Sequence, residues 1–418
     1  MKNPFPNDFL WGASTSSHQI EGGLVNNWTK WEEENTTHLI NRTPEEIDPI
    51  LFEKAQHPEC YLSNSKYSCE SFKHWRRDIE VMRKLGLNAY RFSLEWSRIE
   101  PEKGVFDEDG IRFYINLIKE LKANGIEPVV TIWHWTLPVW LSEEGGIMSK
   151  NFVKYWEGFV KYVVKKFGES VKFWITINEP SVVVNMSYRL EEWPPARRNV
   201  FLWFKYYFLI FPKSHKIAYE MIKKECPNSM VSFAHQGPNF EPLRNNVIDK
   251  FIASTINYFV NFLMINSVVK DLDFIALNFY FNNLVGLGGI GNGLVVKKNR
   301  NDVCTDMGWW FQPRFLGNMV KKLFKKYRLP IMITENGLAD YKDSLRREWI
   351  EESIGALERC LKEGIEIIGY LHWSLLDNFE WADGFWPQFG LVSVDPVSKE
   401  RKIKDSGYFY RDLIKRYR

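Results

Sequence analysis

Cysteine is scarce in this 418-residue sequence, which contains only five. The five lie far apart in the chain, at Cys60, Cys69, Cys226, Cys304 and Cys360. An odd, scattered set does not suit the paired framework of a disulfide-stabilised secreted protein. The amino-terminal residues also lack the apolar core of a secretory signal. We therefore expect a protein of the reducing cytoplasm.

Neither sign of charge predominates, because 55 basic residues face 52 acidic ones and the formal net charge is +3. That balance does not favour binding to nucleic acid or another acidic polymer. Glutamine is also rare, which weakly indicates a thermophilic source. Aromatic residues, in contrast, make up 16% of the chain. They fill cores, and they also stack on the apolar faces of sugar rings.

Apolar, β-rich runs alternate with amphipathic helical segments along the chain. The predicted strands are residues 9–15, 88–96, 127–134, 171–178, 230–235, 273–280, 330–334 and 366–374. The predicted helices are residues 71–85, 109–123, 151–167, 214–225, 255–269, 313–327, 344–363 and 406–417. This alternation predicts an α/β fold, a single (β/α)8 TIM barrel domain over residues 1–418 with elaborated loops at its C-terminal face. We expect the insert near residues 24–70, rich in Asn, Thr and Glu, to be an irregular functional loop over one barrel face.

Two of the predicted strands deliver a glutamate at their ends. Glu179 follows the run 171–178, and Glu335 follows the run 330–334. The carboxyl ends of all barrel strands meet at one mouth, so these two acids can face each other. Cleavage of a glycosidic bond needs one carboxyl group to protonate the leaving oxygen and another to attack or assist at the anomeric carbon. The pair therefore predicts glycosidase chemistry.

Other polar and aromatic residues reach the same mouth. They are Gln19, Glu21, Arg91, His134, Trp135, Asn178, Asn278, Tyr280, Trp373, Glu380 and Trp381. Their amides, imidazole and carboxylates suit sugar hydroxyls, and their indoles suit sugar rings. Structural alternatives exist, since Arg91 could pair with Glu95 or Glu380 and the aromatic residues could simply fill the core. Asn278 fits an indirect role better than a direct contact.

Residues 286–293, GLGGIGNG, are similar to a phosphate-binding glycine pattern. They lie in a predicted loop after residues 282–285, whereas the phosphate fingerprint needs a strand before it and a helix after it. His134 has no second histidine at ligand spacing, which favours a hydrogen-bonding role over metal binding. The sequence therefore predicts neither a cofactor nor a metal.

The order of short motifs resembles glycoside hydrolase family 1, the β-glucosidase and β-galactosidase family, and most of all its archaeal β-glycosidases. The motifs are FPNDFLWGAST, SSHQIEG, NAYRFSLEWSRIEP, WHWTLP, TINEP, ALNFY, DMGW, ITENG, LHWSLLDNFEW and FGL. The resemblance implies a retaining β-glycosidase, similar to a β-glucosidase, that removes terminal β-D-glycosyl residues from small β-glycosides or short oligosaccharides. It also implies that Glu335 is the nucleophile and Glu179 the acid/base.

The resemblance further implies roles for the surrounding residues. The sugar would be bound by Gln19, His134, Trp135, Asn178, Trp373, Glu380, Trp381 and Phe389. Arg91, Asn278 and Tyr280 would support the nucleophile. We expect the guanidinium and the phenol to lower the pKa of Glu335, while that negative charge keeps Glu179 protonated. A retaining mechanism also requires the two carboxyl groups to lie about 5 to 5.5 Å apart.

Two segments depart from the family pattern. Gln388 stands where an Arg is common, which we interpret as a change in the support of the site, and Glu380 favours a neutral sugar over a 6-phosphosugar. The apolar stretch 199–212, NVFLWFKYYFLIFP, is too short to cross a bilayer. It is either a buried barrel helix or an exposed patch near the site that serves hydrophobic, alkyl or lipid-like aglycones or contacts a membrane surface peripherally.

Two other functions stay open at this point. One is a catalytically silent sugar-binding barrel, and the other is an enzyme that mainly transglycosylates. The predicted sugar-binding groups suit glucose, galactose, mannose and fucose alike, so the preferred epimer stays open together with the oligomeric state.

Overall fold

The computed structural model describes residues 3–35, 64–288, 294–297 and 303–418, with only the backbone described for 294–297. Its strands are β1 (Leu10–Ser14), β2 (Ala89–Ser93), β3 (Glu127–Trp133), β4 (Phe173–Asn178), β5 (Met230–Gln236), β6 (Asn239–Pro242), β7 (Ile275–Phe279), β8 (Asn282–Leu287), β9 (Leu294–Lys297), β10 (Ile331–Asn336), β11 (Ile367–Trp373), β12 (Val392–Val394) and β13 (Arg401–Ile403). Eight of them form a closed parallel barrel in the order β1-β11-β10-β7-β5-β4-β3-β2. The predicted barrel fold is confirmed.

Helices connect the barrel strands. They are α1 (Ser17–Ile20), α2 (Asn27–Glu34), α3 (Ser71–Lys84), α4 (Trp96–Ile99), α5 (Glu108–Ala123), α6 (Val139–Glu143), α7 (Phe152–Phe167), α8 (Pro180–Tyr188), α9 (Val200–Lys205), α10 (Phe211–Glu225), α11 (Val247–Asn257), α12 (Leu263–Val268), α13 (Phe315–Tyr327), α14 (Arg346–Lys362) and α15 (Asp405–Tyr417). The π-helical segments Tyr206–Ile210 and Tyr258–Phe262 join α9 to α10 and α11 to α12. Short 3₁₀ turns occur at Ser65–Tyr67, Gly146–Met148, Gly168–Ser170, Val269–Asp271 and Trp381–Asp383.

Apolar side chains from all eight barrel strands pack together inside the barrel. They are Leu10, Ala89, Val129, Phe173, Ile175, Ala234, Ala276, Met332 and Leu371. Side chains two positions apart on a strand share a face, so Arg91 lies on the same side of β2 as Ala89 and nearer the carboxyl end. The packed layer therefore forms a floor, and polar residues of the strand ends lie above it.

The insert differs from the predicted irregular loop. Residues 27–34 form α2, and Asn26 caps this helix by accepting hydrogen bonds from the backbone N–H groups of Trp28 at 2.9 Å and Thr29 at 3.0 Å. Thr29 accepts in turn from the backbone N–H of Asn26. This reciprocal cap uses Asn and Thr in place of the more familiar Ser or Thr with Glu or Gln, so the motif was missed. Residues 36–63 of the insert lie outside the described residues.

The start of the predicted loop at residues 286–293 is wrong, because Gly286 and Leu287 belong to β8, which begins at Asn282. This strand pairs with β6 in parallel and with β9 in antiparallel orientation. The side-chain amides of Asn239 and Asn282 are hydrogen bonded across the first pair at 2.6 Å. Paired asparagines can thus stabilise a strand whose composition suggests a turn. Residues 289–293 of the glycine run lie outside the described part of the chain.

Candidate active site

Both predicted catalytic glutamates lie at strand ends and are almost completely buried. Glu335 belongs to β10, at a shift in its register with β7. Glu179 lies between β4 and α8 with a left-handed φ of 39°, and its N–H donates to the carbonyl of Ala234 in β5 at 2.8 Å. Each glutamate is only 4% exposed. Two acids far apart in sequence are therefore enclosed in one mouth of the barrel.

Glu335 is held by a cation and a phenol. One guanidinium nitrogen of Arg91 donates to Glu335 Oε1, and the Tyr280 hydroxyl donates to Glu335 Oε2 at 2.5 Å. Arg91 is itself fixed by hydrogen bonds to Thr131 Oγ1 at 3.0 Å and Asn178 Oδ1 at 2.6 Å. Arg91 therefore pairs with Glu335, and not with Glu95 or Glu380 as the structural alternative proposed. Both oxygens of Glu335 are occupied by donors that favour its anionic form.

Glu179 accepts a hydrogen bond from the amide of Asn278 at 2.7 Å. That amide also donates to Asn178 Oδ1 at 3.2 Å, and its oxygen accepts from Thr334 Oγ1 at 2.7 Å. Asn278, predicted as a support of the nucleophile, therefore also contacts the acid/base candidate directly. The chain of contacts from Glu179 through Asn278 and Asn178 continues to the guanidinium that binds Glu335.

The surroundings of the two glutamates separate their proton affinities. Burial, followed by the negative charge of Glu335, raises the pKa of Glu179 well above its usual value. Burial also raises the pKa of Glu335, but Arg91 and the Tyr280 hydrogen bond oppose this increase. The pKa of Glu179 is raised further than that of Glu335, which is the order that the sequence predicted. The predicted net lowering of the Glu335 pKa is wrong, because desolvation outweighs its two hydrogen-bond donors.

His134 is a neutral imidazole in this site. Burial, and next the charge of Arg91, lowers the pKa of His134 well below its usual value. Asn178 donates to His134 Nε2 at 3.0 Å, which leaves the proton on Nδ1. Within the described residues, His134 Nδ1 is buried and has no hydrogen-bond partner. The imidazole therefore presents an unused donor in the site.

Gln19 and Glu380 form a second polar pair. The Gln19 amide donates to Glu380 Oε2 at 3.2 Å and to the Phe379 carbonyl at 2.7 Å, while its oxygen accepts from Ser16 Oγ at 2.6 Å. Burial, and next the charges of Asp383 and the nucleophile candidate, raises the pKa of Glu380 to about 8. This carboxyl is therefore protonated at neutral pH and can donate as well as accept hydrogen bonds.

Flat rings surround these polar groups. His134 stacks on Trp381 with centroids 5.9 Å apart and on Trp373 with centroids 6.1 Å apart. His18 covers Trp381 at 5.3 Å, with the two ring planes 18° apart. Trp135 also packs against Trp381 at 4.7 Å and donates through its indole N–H to the Asn178 carbonyl at 2.8 Å. The predicted tryptophans thus share one cluster with the histidines.

Glu21, which was predicted at the mouth, and Phe389, which was predicted to bind the sugar, contact other parts of the protein. Glu21 accepts from Arg98 at 2.7 Å and from the Tyr114 hydroxyl at 2.6 Å, so the structure places it in a separate buried ion pair. Phe389 packs against Tyr280 with ring centroids 6.2 Å apart and belongs to an apolar cluster that includes Trp373. Phe389 therefore packs beside two of the predicted site residues.

The sequence of this chain matches the profile described as Glycosyl hydrolase family 1 over residues 1–270 and 264–418. The chain belongs to glycosyl hydrolase family 1. The resemblance drawn from the motifs is confirmed. As a family 1 member, the protein is a glycoside hydrolase, which acts on O-glycosyl bonds.

Individual family 1 proteins are similar to this chain along almost their whole length. Beta-glucosidase A of Thermotoga maritima is 30% identical over 451 residues that cover 98% of each chain. A beta-glycosidase from Pyrococcus horikoshii is 32% identical, covers 100% of this chain and 98% of its own, and superposes with a TM-score of 0.85. The T. maritima beta-glucosidase in complex with glucoimidazole is 28% identical over 99% of each chain, with a TM-score of 0.86.

The family 1 site contains residues that sequence reasoning missed. His18 donates from Nε2 to the Glu32 carboxylate of α2 at 2.9 Å, which anchors the ring that covers Trp381. Trp28 of the same helix packs on Trp381 at 4.7 Å, and Trp193 packs on it at 5.8 Å. His18 stands beside Gln19 in the motif SSHQIEG and could have been chosen on that ground. No local pattern indicated that the two tryptophans would reach this site.

A cavity of about 820 Å³ adjoins this family 1 site. Trp135 is common to the cavity and the aromatic cluster of the site. Apolar residues on several elements line the cavity, and they include Leu137, Ile147, Met148, Val183 and Leu202. Leu202 belongs to α9, within the apolar stretch 199–212. The cavity therefore connects the surroundings of the catalytic pair with that stretch.

Proposed function

We propose that this protein is a retaining β-glycosidase, similar to a β-glucosidase, that hydrolyses terminal non-reducing β-D-glycosyl residues. Glu335 attacks the anomeric carbon while Glu179 protonates the departing oxygen, which gives a covalent glycosyl enzyme. Glu179, now a carboxylate, takes a proton from water as that water attacks the same carbon and releases the sugar. Two inversions at one centre retain the anomeric configuration.

The observation that carries this proposal is the paired environment of the two acids. Glu335 has a guanidinium and a phenol hydroxyl on its two oxygens. Glu179 is buried beside that negative charge and accepts from a neutral amide. A carboxylate that is ready to attack and a carboxylic acid that is ready to donate are the two states this reaction needs.

The sugar would be bound by groups that already converge beside the acids. The unused Nδ1–H of His134 suits one sugar hydroxyl, and Gln19 with Glu380 suits a pair of hydroxyls. Trp373 offers a ring face for stacking. An uncharged sugar fits best, because the negative charge of Glu335 acts on this buried site and would oppose a phosphate on the substrate. The relatives named beta-glucosidase support glucose as the first sugar to test.

Turnover of a nitrophenyl β-glucoside tests the proposal. Glu335→Gln is expected to reduce the turnover rate by at least a factor of about a thousand, because it removes the nucleophile. Glu179→Gln is expected to impair release of poor leaving groups far more than release of nitrophenol, because nitrophenol departs with little help from an acid. Proton NMR of the first product should show the β anomer. An α anomer would exclude the retaining mechanism.

Two other outcomes would favour the alternatives. Binding of glucosides without turnover of any nitrophenyl β-glycoside would favour the silent sugar-binding barrel. Products that contain more transferred than hydrolysed sugar at low substrate concentration would favour a mainly transglycosylating enzyme. A panel of glucose, galactose, mannose and fucose derivatives identifies the preferred epimer.

The proposal extends to a preference for hydrophobic aglycones, which the apolar part of the lining of the 820 Å³ cavity supports. Octyl β-glucoside below its micellar concentration should then be hydrolysed with a higher kcat/KM than methyl β-glucoside. Leu202→Ser should reduce that preference by about tenfold, because an alkyl chain loses an apolar neighbour. Leu209→Ser is the matched control, since Leu209 lies on the same continuous helix but is 65% exposed. Equal efficiency for both glucosides would contradict the preference.

The proposal includes a cytoplasmic protein that contacts membranes peripherally through the stretch 199–212. Support for the contact comes from the exposure of its apolar side chains, which reaches 82% at Phe201. Cell fractionation tests the location, and recovery of the protein in a secreted fraction would contradict it.

A further inference from the structure

Two neighbouring helices expose large apolar side chains to solvent. In α9 and the π-helical segment after it, the exposed residues are Val200, Phe201, Phe204, Phe208 and Leu209. In α11 and the π-helical segment after it, they are Val247, Ile248, Phe251, Tyr258 and Phe259. Isolated exposed apolar residues are ordinary on protein surfaces, but ten on two helices are not. We call these ten residues the apolar face.

The two helical regions are in contact beside this face. The Tyr207 hydroxyl donates to the backbone carbonyl of Phe259 at 3.4 Å. Phe208, next to that tyrosine, stacks on Phe204 with ring centroids 5.9 Å apart. Exposed rings therefore flank the contact on both helices. Only the first helix was conspicuous in the sequence, because the apolar helix predicted over residues 255–269 begins after Val247, Ile248 and Phe251.

A basic groove is lined by residues of α11, β6 and α13. Its volume is about 520 Å³, and apolar residues such as Phe240 and Phe262 form part of its lining. The charged residues in its lining are four lysines and one glutamate. They are Lys250, Lys322, Lys325, Lys326 and Glu241. Lys322 is engaged inside the protein, where it donates to Asn239 Oδ1 at 2.6 Å. The other three lysines are exposed, so their ammonium groups are available to an external anion.

The chain around the apolar face is basic as well. Between Trp193 and Ile217 the sequence contains basic residues but no Asp or Glu. They are Arg197, Arg198, Lys205, Lys213 and Lys216. The segment from Lys250 to Lys270 likewise lacks acidic residues. The charged residues of these two segments are therefore basic, and Asp249, which immediately precedes the second segment, is paired with Arg244. Apolar side chains together with basic residues are the pattern that binds anionic lipid surfaces.

We propose that the apolar face and the groove lysines dock this protein on an anionic lipid surface. The exposed phenylalanines enter the boundary between headgroups and acyl chains, and Lys250, Lys325 and Lys326 contact lipid phosphates. This inference extends the membrane contact proposed for residues 199–212 to a second helix and a headgroup site. It does not depend on the proposed reaction.

The docking mode is a surface contact rather than a membrane span. Among the described residues, the helical region Val247–Asp271 is long and apolar enough to cross a bilayer, yet a third of its most apolar part is buried in the protein. Its buried side chains bind the chain that follows β5, through hydrogen bonds from Asn261 to the Pro238 carbonyl at 2.9 Å and from Asn257 to the Phe240 carbonyl of β6 at 2.8 Å. Leaving the barrel would break these contacts, so the helix lies in the plane of the membrane.

A second copy of the chain is a less suitable occupant. A two-fold pairing of this face would bring the same patch from both copies together. Basic segments without acidic residues would then face each other, which costs electrostatic energy. Lipid phosphates instead complement that charge.

Vesicle co-sedimentation tests the proposal with the full chain. The unmodified protein should bind vesicles of phosphatidylcholine with one-third phosphatidylglycerol, and high salt should weaken this binding. Phe201→Ser combined with Phe251→Ser should lower the partition coefficient by about tenfold per side chain. Lys250→Ala with Lys325→Ala and Lys326→Ala should lower it by about fivefold per lysine, with less effect on pure phosphatidylcholine.

Val397→Ser combined with Tyr408→Ser is the matched control, because both residues are exposed apolar or aromatic residues on other elements. This control should bind vesicles as the unmodified protein does. Absence of vesicle binding, or equal binding by all variants, would overturn the proposal. A dimer in light scattering that Phe201→Ser and Phe251→Ser dissociate would overturn it in favour of an interface between copies. Turnover of soluble nitrophenyl β-glucoside in the same samples keeps failure of docking distinct from failure of the reaction.

Discussion

At the residue scale, the two glutamates have the same chemistry and different neighbours. Glu335 has donors on both oxygens, whereas Glu179 has a neutral amide and a nearby negative charge. Burial raises the pKa of both, so the difference between them comes from polar partners on β2 and on β7 with its following loop. The partners Arg91 and Tyr280 therefore control which acid is charged.

Tyr280→Phe is expected to reduce kcat/KM by about tenfold to a hundredfold, because it removes a hydrogen bond to a charged carboxylate. That hydrogen bond lowers the pKa of Glu335. Its loss should raise this pKa, so the acidic limb of the pH profile should move to higher pH. Tyr408→Phe, at an exposed tyrosine, is the control and should change neither quantity. An acidic limb that stays in place would contradict the role given to Tyr280.

Glu380 is expected to make folding less favourable as pH rises. Its pKa is raised from 4.5 to about 8 in the folded protein. Between these pH values the folded state holds a proton that the unfolded state has released, so the free energy of unfolding decreases as pH increases through the window. Glu380→Gln should lose less stability over this range, measured as urea midpoints at both ends.

Glu352→Gln provides the comparison for Glu380, since Glu352 is exposed on α14. This variant should follow the pH dependence of the unmodified protein. If the stability of Glu380→Gln also shows the pH dependence of the unmodified protein, Glu380 is not the group that retains a proton in the folded state.

At the element scale, α2 connects the insert to the active site. Its cap residue Asn26 accepts from two backbone N–H groups, and its amide lies 3.2 Å from His18 Nδ1. Glu32, at the other end of the helix, is hydrogen bonded to the second nitrogen of His18. The helix therefore fixes the ring that stacks on Trp381.

Asn26→Ala is expected to lower the free energy of unfolding by about 1 to 2 kcal/mol, because it removes a helix cap. It should also raise KM, because His18 and then Trp381 lose their support. Urea unfolding and Michaelis kinetics check the two effects. Asn199→Ala is the matched control, since Asn199 caps α9 through one hydrogen bond to the Leu202 N–H at 3.0 Å. This control should lose about 1 kcal/mol and keep its KM on nitrophenyl β-glucoside, and a similar KM rise in both would contradict the link.

At the scale of the whole molecule, closure of the barrel brings the catalytic groups together. The seam between β1 and β2 completes the ring of strands, and Gly12 of β1 pairs there with Ala89. A Cβ on Gly12 would lie 2.4 Å from the Ala89 carbonyl oxygen and 2.6 Å from a methyl carbon of Leu371. Only glycine permits this approach of strands in the closed barrel.

Gly12→Ala is expected to destabilise the protein by about 3 kcal/mol, since the clash involves backbone and cannot be relieved by a rotamer change. Gly158→Ala in α7 is the matched control, because a Cβ there would meet nothing within 4 Å. It should stabilise the protein by about 0.5 to 1 kcal/mol through the better helix propensity of alanine. Thermal unfolding of both variants checks the opposite signs, and equal shifts would contradict the tight seam.

The sequence alone determined the strand and helix order, the two acids and most of their neighbours. These features follow from local periodicity, and from motifs whose position at strand ends is set by the fold. Only the tertiary structure decided the cap of α2, the strand β8, the separate pairing of Glu21 and the arrival of Trp28 and Trp193 at the site. It also decided which apolar residues of α9 and α11 remain in solvent. Each of these depends on contacts between distant segments, which the periodicity of a single segment does not contain.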